Sequence, residues 1–168
     1  MNDQFSSILD ALDKNSKDKG SKLFCKDLSS GHEYTYQQFN ILVNQCANYI
    51  TKNFNETSII SSALKNSIEG LIIFFAAQKV GASINPMPHS LSISEIEKNL
   101  HFVQPDLLFI EGSDSPLICK KISQVNIDRE VDNFIETISL YGEKFDFMPS
   151  SEDTAALYYT SGTTSNPK

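Results

Sequence analysis

The sequence predicts an α/β fold with a largely parallel sheet flanked by helices. Three observations predict it. Helical and strand-like segments alternate through the first two-thirds of the chain, the pattern of parallel strands joined by crossover helices. One helical segment, LIIFFAA from Leu71 to Ala77, is apolar on every side and needs cover from other elements. At 168 residues, 40% hydrophobic with 11 Phe and 6 Tyr, the chain is long enough to bury a single core.

The elements follow in order. The N-terminus, MNDQFSSILDALDK, carries acids where a secretory signal carries positive charge. KNSKDKGSK, Lys14 to Lys22, is locally basic, but acids at Asp13 and Asp18 break the run, and it reads as a solvated linker. In TYQQF the spacing of Thr35 and Gln38 predicts a capping box, with Tyr34 and Phe39 placed as a hydrophobic staple. Phe39, Leu42, Val43, Cys46, Ala47 and Ile50 then form one apolar face of a helix ending near Phe54. TSIISSAL, residues 57–64, reads as a buried strand.

Ser67 predicts the cap of a second helix and Gly81 its left-handed close. ASIN, residues 82–85, reads as a short strand broken by the prolines of NPMPH. Ser92 and Glu95 predict a second capping box, on a helix that buries Ile93, Ile96, Leu100 and Val103 and stops at Gln104-Pro105. DLLFIEG, residues 106–112, is a strand. SPLICKKIS then reads as a short helix and QVNI as a short strand. Val131, Phe134, Ile135 and Ile138 place a helix ending at Gly142. KFDFMPSSED reads as a linker with turn chemistry, and TAALYYT as a final strand.

Charge and cysteine usage exclude several functions. Fourteen basic against 21 acidic residues leave a formal charge of −7, which argues against nucleic-acid and anionic-membrane surfaces. Cys25, Cys46 and Cys119 are widely spaced and lack a metal-ligand pattern, so no metal site in the protein and no disulfide framework is expected, and a reducing cytoplasm suits them. No apolar run is long enough for a membrane span. His89, His32 and His101 read as surface residues, Cys119 as a small packing residue, and Phe74 and Phe75 as core. Glu95 and Glu97, two apart on a helix, point to different faces and suit the helix dipole, not acid–base work.

The last eleven residues, YYTSGTTSNPK, raise the functional question. A strand runs directly into a stretch dense in hydroxyls around one glycine. Gly162 permits a tight turn and close approach to an oxyanion, and successive backbone N–H groups in such a turn form an anion-binding concavity. Thr160, Ser161, Thr163, Thr164 and Ser165 add hydroxyl donors, and Lys168 adds a positive charge. The stretch is not a Walker A loop, which needs a second glycine followed by lysine and a helix-starting hydroxyl residue. A Ser/Thr-rich tail without function is the plain alternative.

YTSGTTSNPK resembles the phosphate-loop signature YTSGTTGxPKG of the adenylate-forming superfamily: acyl-CoA synthetases, nonribosomal-peptide adenylation domains and firefly-type luciferases. Ser165 stands where glycine is commonest in that family. TYQQFNILVNQCANYI, GLIIFFAAQKVGASINPMPHSLSISEIEKNL, PDLLFI and SSEDTAALYYTSG resemble further family segments, in the family's order. The resemblance implies an ATP-dependent ligase that activates a carboxylate as an acyl-adenylate and passes the acyl group to a thiol, of coenzyme A or a carrier protein. It implies that Thr160, Ser161, Gly162, Thr163, Thr164, Ser165 and Lys168 bind the phosphates of ATP, delivered with Mg2+.

By resemblance, residues 1–168 are a partial N-terminal domain of such an enzyme, about its first third, ending inside the phosphate loop and without the C-terminal domain and its catalytic lysine. The chain alone is then expected to be inactive, with the remainder of the enzyme as a possible partner. The alternative is a stand-alone remnant: a non-catalytic binding module, or one half of a split enzyme, that recruits another chain through the unpaired edge of its last strand.

Overall fold

Capping chemistry and two opposed apolar patterns build the architecture. The protein is described here by a computed structural model, for residues 7–54, 56–112, 122–128, 133–147, 149–150 and 152–158. Among these, the elements run α1 Ile8–Asp18, β1 Leu23–Lys26, β2 Glu33–Thr35, α2 Tyr36–Asn53, β3 Ile59–Leu64, α3 Ile68–Lys79, β4 Ser83–Pro88, α4 Ile93–Val103, β5 Leu107–Glu111, β6 Ser123–Ile127 and α5 Phe134–Ser139. Strands β4-β3-β5-β6 form a parallel sheet in that spatial order, and β1 and β2 form a separate antiparallel hairpin. The α/β fold with a parallel sheet flanked by helices is thus present.

The strand alternation divides the sheet into two faces. Ile60, Ile84, Leu107 and Phe109 enter the larger core with Phe39, Val43 and Ile50 of α2 and Ile72, Ile73 and Ala76 of α3. Ala63, Met87, Leu108 and Ile110 meet Ile96 and Leu100 of α4 on the other face. Each fully buried large apolar side chain contributes about 1.5–3 kcal/mol. The all-round apolar helix α3 is enclosed as its composition requires, with Phe75 packed edge-on to Phe39 of α2.

Both capping boxes form. Thr35 Oγ1 accepts from the Gln38 amide while Gln38 Oε1 accepts from the Thr35 amide, and Ser92 and Glu95 do the same. Ser67 caps α3, Gly81 follows that helix with φ +79°, and Gln104 ends α4 in the left-handed region.

Four expectations need correction, and one hairpin stands outside them. The supposed linker from Lys14 belongs to helix α1 as far as Asp18. Ser7 caps this helix, Leu9 and Leu12 anchor it, and Asp13 pairs at 3.0 Å with Lys79, whose side chain is buried at the end of α3. Two apolar anchors in a polar stretch make a weak pattern, so the tertiary ion pair is what the sequence hides.

In the hairpin β1–β2, Asp27 closes the turn by accepting from Ser29 and Ser30, with Gly31 at φ +76°. Strand β4 continues through Pro86 and Pro88 instead of breaking. Ile84 has its N–H and C=O on the side away from β3, so the prolines, two and four residues on, lack N–H groups only on that outer side. Ile93, the first residue of α4, is exposed, because burial begins a turn later at Ile96. Finally α5 spans only Phe134–Ser139 and stops short of Gly142. There the amides of Asn44, Gln45 and Asn48 on α2 capture the carbonyls of residues 139 and 141–144. Those backbone groups are satisfied by side chains and need no further helical turn.

The helix expected over SPLICKKIS falls largely outside the described residues, as does Val131.

Candidate functional site

Thr160, Ser161, Gly162, Thr163, Thr164, Ser165 and Lys168 lie outside the described residues. Their stem does not. Ser150 and Asp153 close a turn, with Asp153 Oδ2 accepting from the Ser150 amide at 2.8 Å and the Asp153 amide donating back to the Ser150 carbonyl. From there the chain runs alongside β4. Ile84 donates to the Ala155 carbonyl at 3.1 Å, Leu157 donates to the Ile84 carbonyl at 2.8 Å, and Ala156 forms a parallel bridge with Ile84. Ser83 adds a side-chain bond, its Oγ donating to the Thr154 carbonyl at 2.7 Å. The expected final strand therefore appears, over its described part, as one parallel bridge at the outer edge of the sheet, and Tyr158 is exposed beyond it.

A parallel strand points its end where the other strand ends point. The described part of the stem thus runs toward the carboxyl end of the sheet, the end at which open α/β sheets bind ligands. The general rule would choose the crevice between β3 and β5, where the strand order reverses. That crevice is closed: Glu111 accepts from the Lys65 amide and from Lys65 Nζ, both at 2.9 Å. A hollow of about 750 Å³ is lined, among the described residues, by Thr51, Phe54, Glu56, Thr57 and Val80. It lies at the opposite end of the sheet, where β3 begins, and its described lining has no basic side chain for phosphate.

The described titratable groups offer no alternative chemistry. Burial raises the thiol pKa of Cys46 far above neutral, and burial followed by nearby Asp27 raises that of Cys25, so neither is held as a thiolate. Cys119 lies outside the described residues. His32, His89 and His101 are exposed, as the sequence suggests. Phe75 is core and Phe74 packs beside it. Glu95 has its pKa lowered by the hydrogen bonds from Ser92, which is its capping role. Among the described residues, no three His, Cys, Asp or Glu side chains group to hold a metal ion.

Residues 12–168 match the family model "AMP-binding enzyme". The chain belongs to the AMP-binding enzyme family. It is 27% identical over 143 residues to the long-chain-fatty-acid–CoA ligase FadD13 of Mycobacterium tuberculosis (strain H37Rv), a match covering 80% of this chain and 28% of that protein. It is 28% identical over 166 residues to the crotonobetaine/carnitine–CoA ligase of Shigella flexneri, covering 87% of this chain and 32% of that protein. The crystal structure of ATP-bound MatB from Rhodopseudomonas palustris superposes with a TM-score of 0.78 at 18% identity, over 98% of this chain and 34% of that one. The AMP-binding family member thus spans about a third of the length of the relatives it matches. The resemblance to the N-terminal portion of the adenylate-forming superfamily holds, in sequence and in fold.

Ser83 and Asp153 are contributors to the site's stem that the sequence does not single out. The Ser83 partner is a backbone carbonyl 71 residues away, and no local pattern signals such a contact. Asp153 sits in a turn whose chemistry is visible, but its place beneath the stem is not.

Proposed function

We propose that this chain supplies the phosphate-binding part of an ATP-dependent ligase that activates a carboxylic acid as an acyl-adenylate and passes the acyl group to a thiol. The observation that supports the proposal is the stem: residues 155–157, pinned beside β4, run toward the ligand-binding end of a parallel sheet and precede the Ser/Thr/Gly/Lys stretch in the sequence. In this reading the backbone N–H groups around Gly162 and the hydroxyls of Thr160, Ser161, Thr163, Thr164 and Ser165 surround the β- and γ-phosphates, and Lys168 offsets their charge. Such groups lower the barrier by standing ready where charge develops as pyrophosphate departs. They form no covalent bond.

The relatives named as CoA ligases support coenzyme A as the acceptor thiol, ahead of a carrier protein. Mg2+ is part of the proposed reading. Mg2+ keeps water and phosphate oxygens as ligands, so in this reading it arrives on the nucleotide.

Two measurements test the proposal. The 168-residue chain, mixed with ATP and carboxylic acids, is expected to release no pyrophosphate, and carboxylate-dependent release would overturn the view that it is only part of the catalyst. In the complete ligase carrying this chain, Thr163→Ala is expected to lower kcat/KM for ATP by about 1.5–3 kcal/mol of transition-state stabilisation. An unchanged value would remove the loop from the reaction.

A further inference from the structure

The two faces of the sheet are covered unequally. Among the described residues, the larger core draws buried side chains from α1, α2, α3 and α5, whereas the smaller core has helix partners only in Ile96 and Leu100 of α4. Ile93 and Phe102 of the same helix are more than half exposed. The chain enters α4 through a turn in which the Leu91 amide donates to the Pro88 carbonyl at 3.2 Å. It leaves through Gln104, held at φ +51°, a conformation that a residue other than glycine seldom adopts.

Beneath α4 lies a polar tie. Asn85 of β4 and Ser61 of β3 are register partners and are 1% and 0% exposed. Asn85 Nδ2 donates to Ser61 Oγ at 2.9 Å and to Asn99 Oδ1 on α4 at 2.8 Å. Asn85 Oδ1 is buried and has no hydrogen-bond partner among the described residues. Such an oxygen has given up water and received nothing in exchange. Because α4 meets this side chain through Asn99, lifting α4 is the motion that returns water to Oδ1. The Asn99 bond holds the helix down, and the bare oxygen favours its release.

We infer that α4 is a lid over the smaller face of the sheet, hinged at the Pro88–Leu91 turn and at Gln104, which opens while the larger core stays folded. Asn85 sets its balance. Opening uncovers a polar row, Asn85 beside Ser61, and an apolar row, Met87 beside Ala63. The lid needs nothing from the residues beyond the stem.

Amide hydrogen exchange of the native 168-residue chain, repeated at low urea concentrations, tests the lid. Leu100 and Val103 in α4 are expected to exchange at least about tenfold faster than Ile72 in α3, with little dependence on urea, because a local opening exposes little surface. Equal rates that rise together with urea would overturn the lid, since α4 would then open only with the whole chain. Ser61→Ala combined with Asn85→Val removes the bare oxygen and its hydroxyl neighbour and leaves half-buried Asn99 to water. Exchange at Leu100 and Val103 should slow about fivefold, the weight of one unsatisfied acceptor less the bond to Asn99. Unchanged or faster exchange there would overturn the part given to Asn85. Asn85→Asp puts a charge in the same place, at a cost that the opening of a lid would cap. Leu100 and Val103 are then expected to lose protection while Ile72 keeps it, and loss at all three together would overturn the proposal.

Discussion

The seam between β3 and β5 and the outer edge of β4 open toward the same end of the sheet, yet they are built in opposite ways. At the seam, four successive register pairs run from Ile60 beside Leu107 to Ala63 beside Ile110. Lys65 and Glu111 then close it from above. At the outer edge the stem touches β4 through one bridge and one serine hydroxyl. The seam has the topology of a ligand crevice but is bridged, while the edge has little pairing and carries the stem that precedes the candidate loop in the sequence. On the proposed reading, the fold's usual binding position is therefore not where this chain would hold its phosphate.

The largest effect should come from the seam's interior. Phe109 is fully buried between β3 and β6, and Phe109→Ala is expected to destabilise the chain by about 3–5 kcal/mol in urea unfolding. A loss below about 1 kcal/mol would show that packing at the seam contributes little to stability.

Next comes the support behind the edge. Lys79, just before the Gly81 turn into β4, has a side chain only 2% exposed and faces Asp13 and Asn40. Asp13→Ala strands that ammonium and should cost about 3 kcal/mol, the low end for a broken buried pair because Asp13 is 28% exposed. Lys79→Met, which removes the charge as well, should cost less; the reverse order would argue against a stranded charge. Thr35→Ala, which opens the capping box of α2, should cost about 1 kcal/mol, and thermal unfolding would measure it.

The smallest effects belong to the seam's exposed closure. Glu111→Gln keeps an acceptor for the Lys65 amide and removes only the charge, so a change below about 1 kcal/mol that shrinks in salt is expected. Glu95 adds a dependence on pH. Its folded pKa lies below the ordinary glutamate value. The helix-capping stability it gives is therefore complete above that ordinary value and is lost as pH falls through the lowered one. Replacing Glu95 with Gln should flatten this part of an acid-unfolding curve.

The division between what the sequence discloses and what it withholds follows the range of the interactions. Thr35 with Gln38, and Ser92 with Glu95, are three residues apart and legible by eye. So is Gly81, whose place after an apolar helix announces a left-handed close. The continuation of β4 through Pro86 is not legible, because whether a strand proline is tolerated depends on which neighbour its missing N–H would have met. Helix α1 is hidden for a similar reason: its ion pair reaches 66 residues along the chain to Lys79. Of the candidate site, the hydroxyl-rich stretch stands out by composition, whereas its support by Ser83 is visible only once Thr154 lies beside β4.

The most direct test is to map the nucleotide on the chain. Titration of isotopically labelled 168-residue protein with MgATP, followed by amide chemical shifts, separates the two places where phosphate would sit. Shifts are expected to concentrate in residues 158–168 and to extend to Ile84 and Leu157. Shifts confined to Lys65–Gly70 and Glu111–Gly112, or absent throughout, would contradict that expectation.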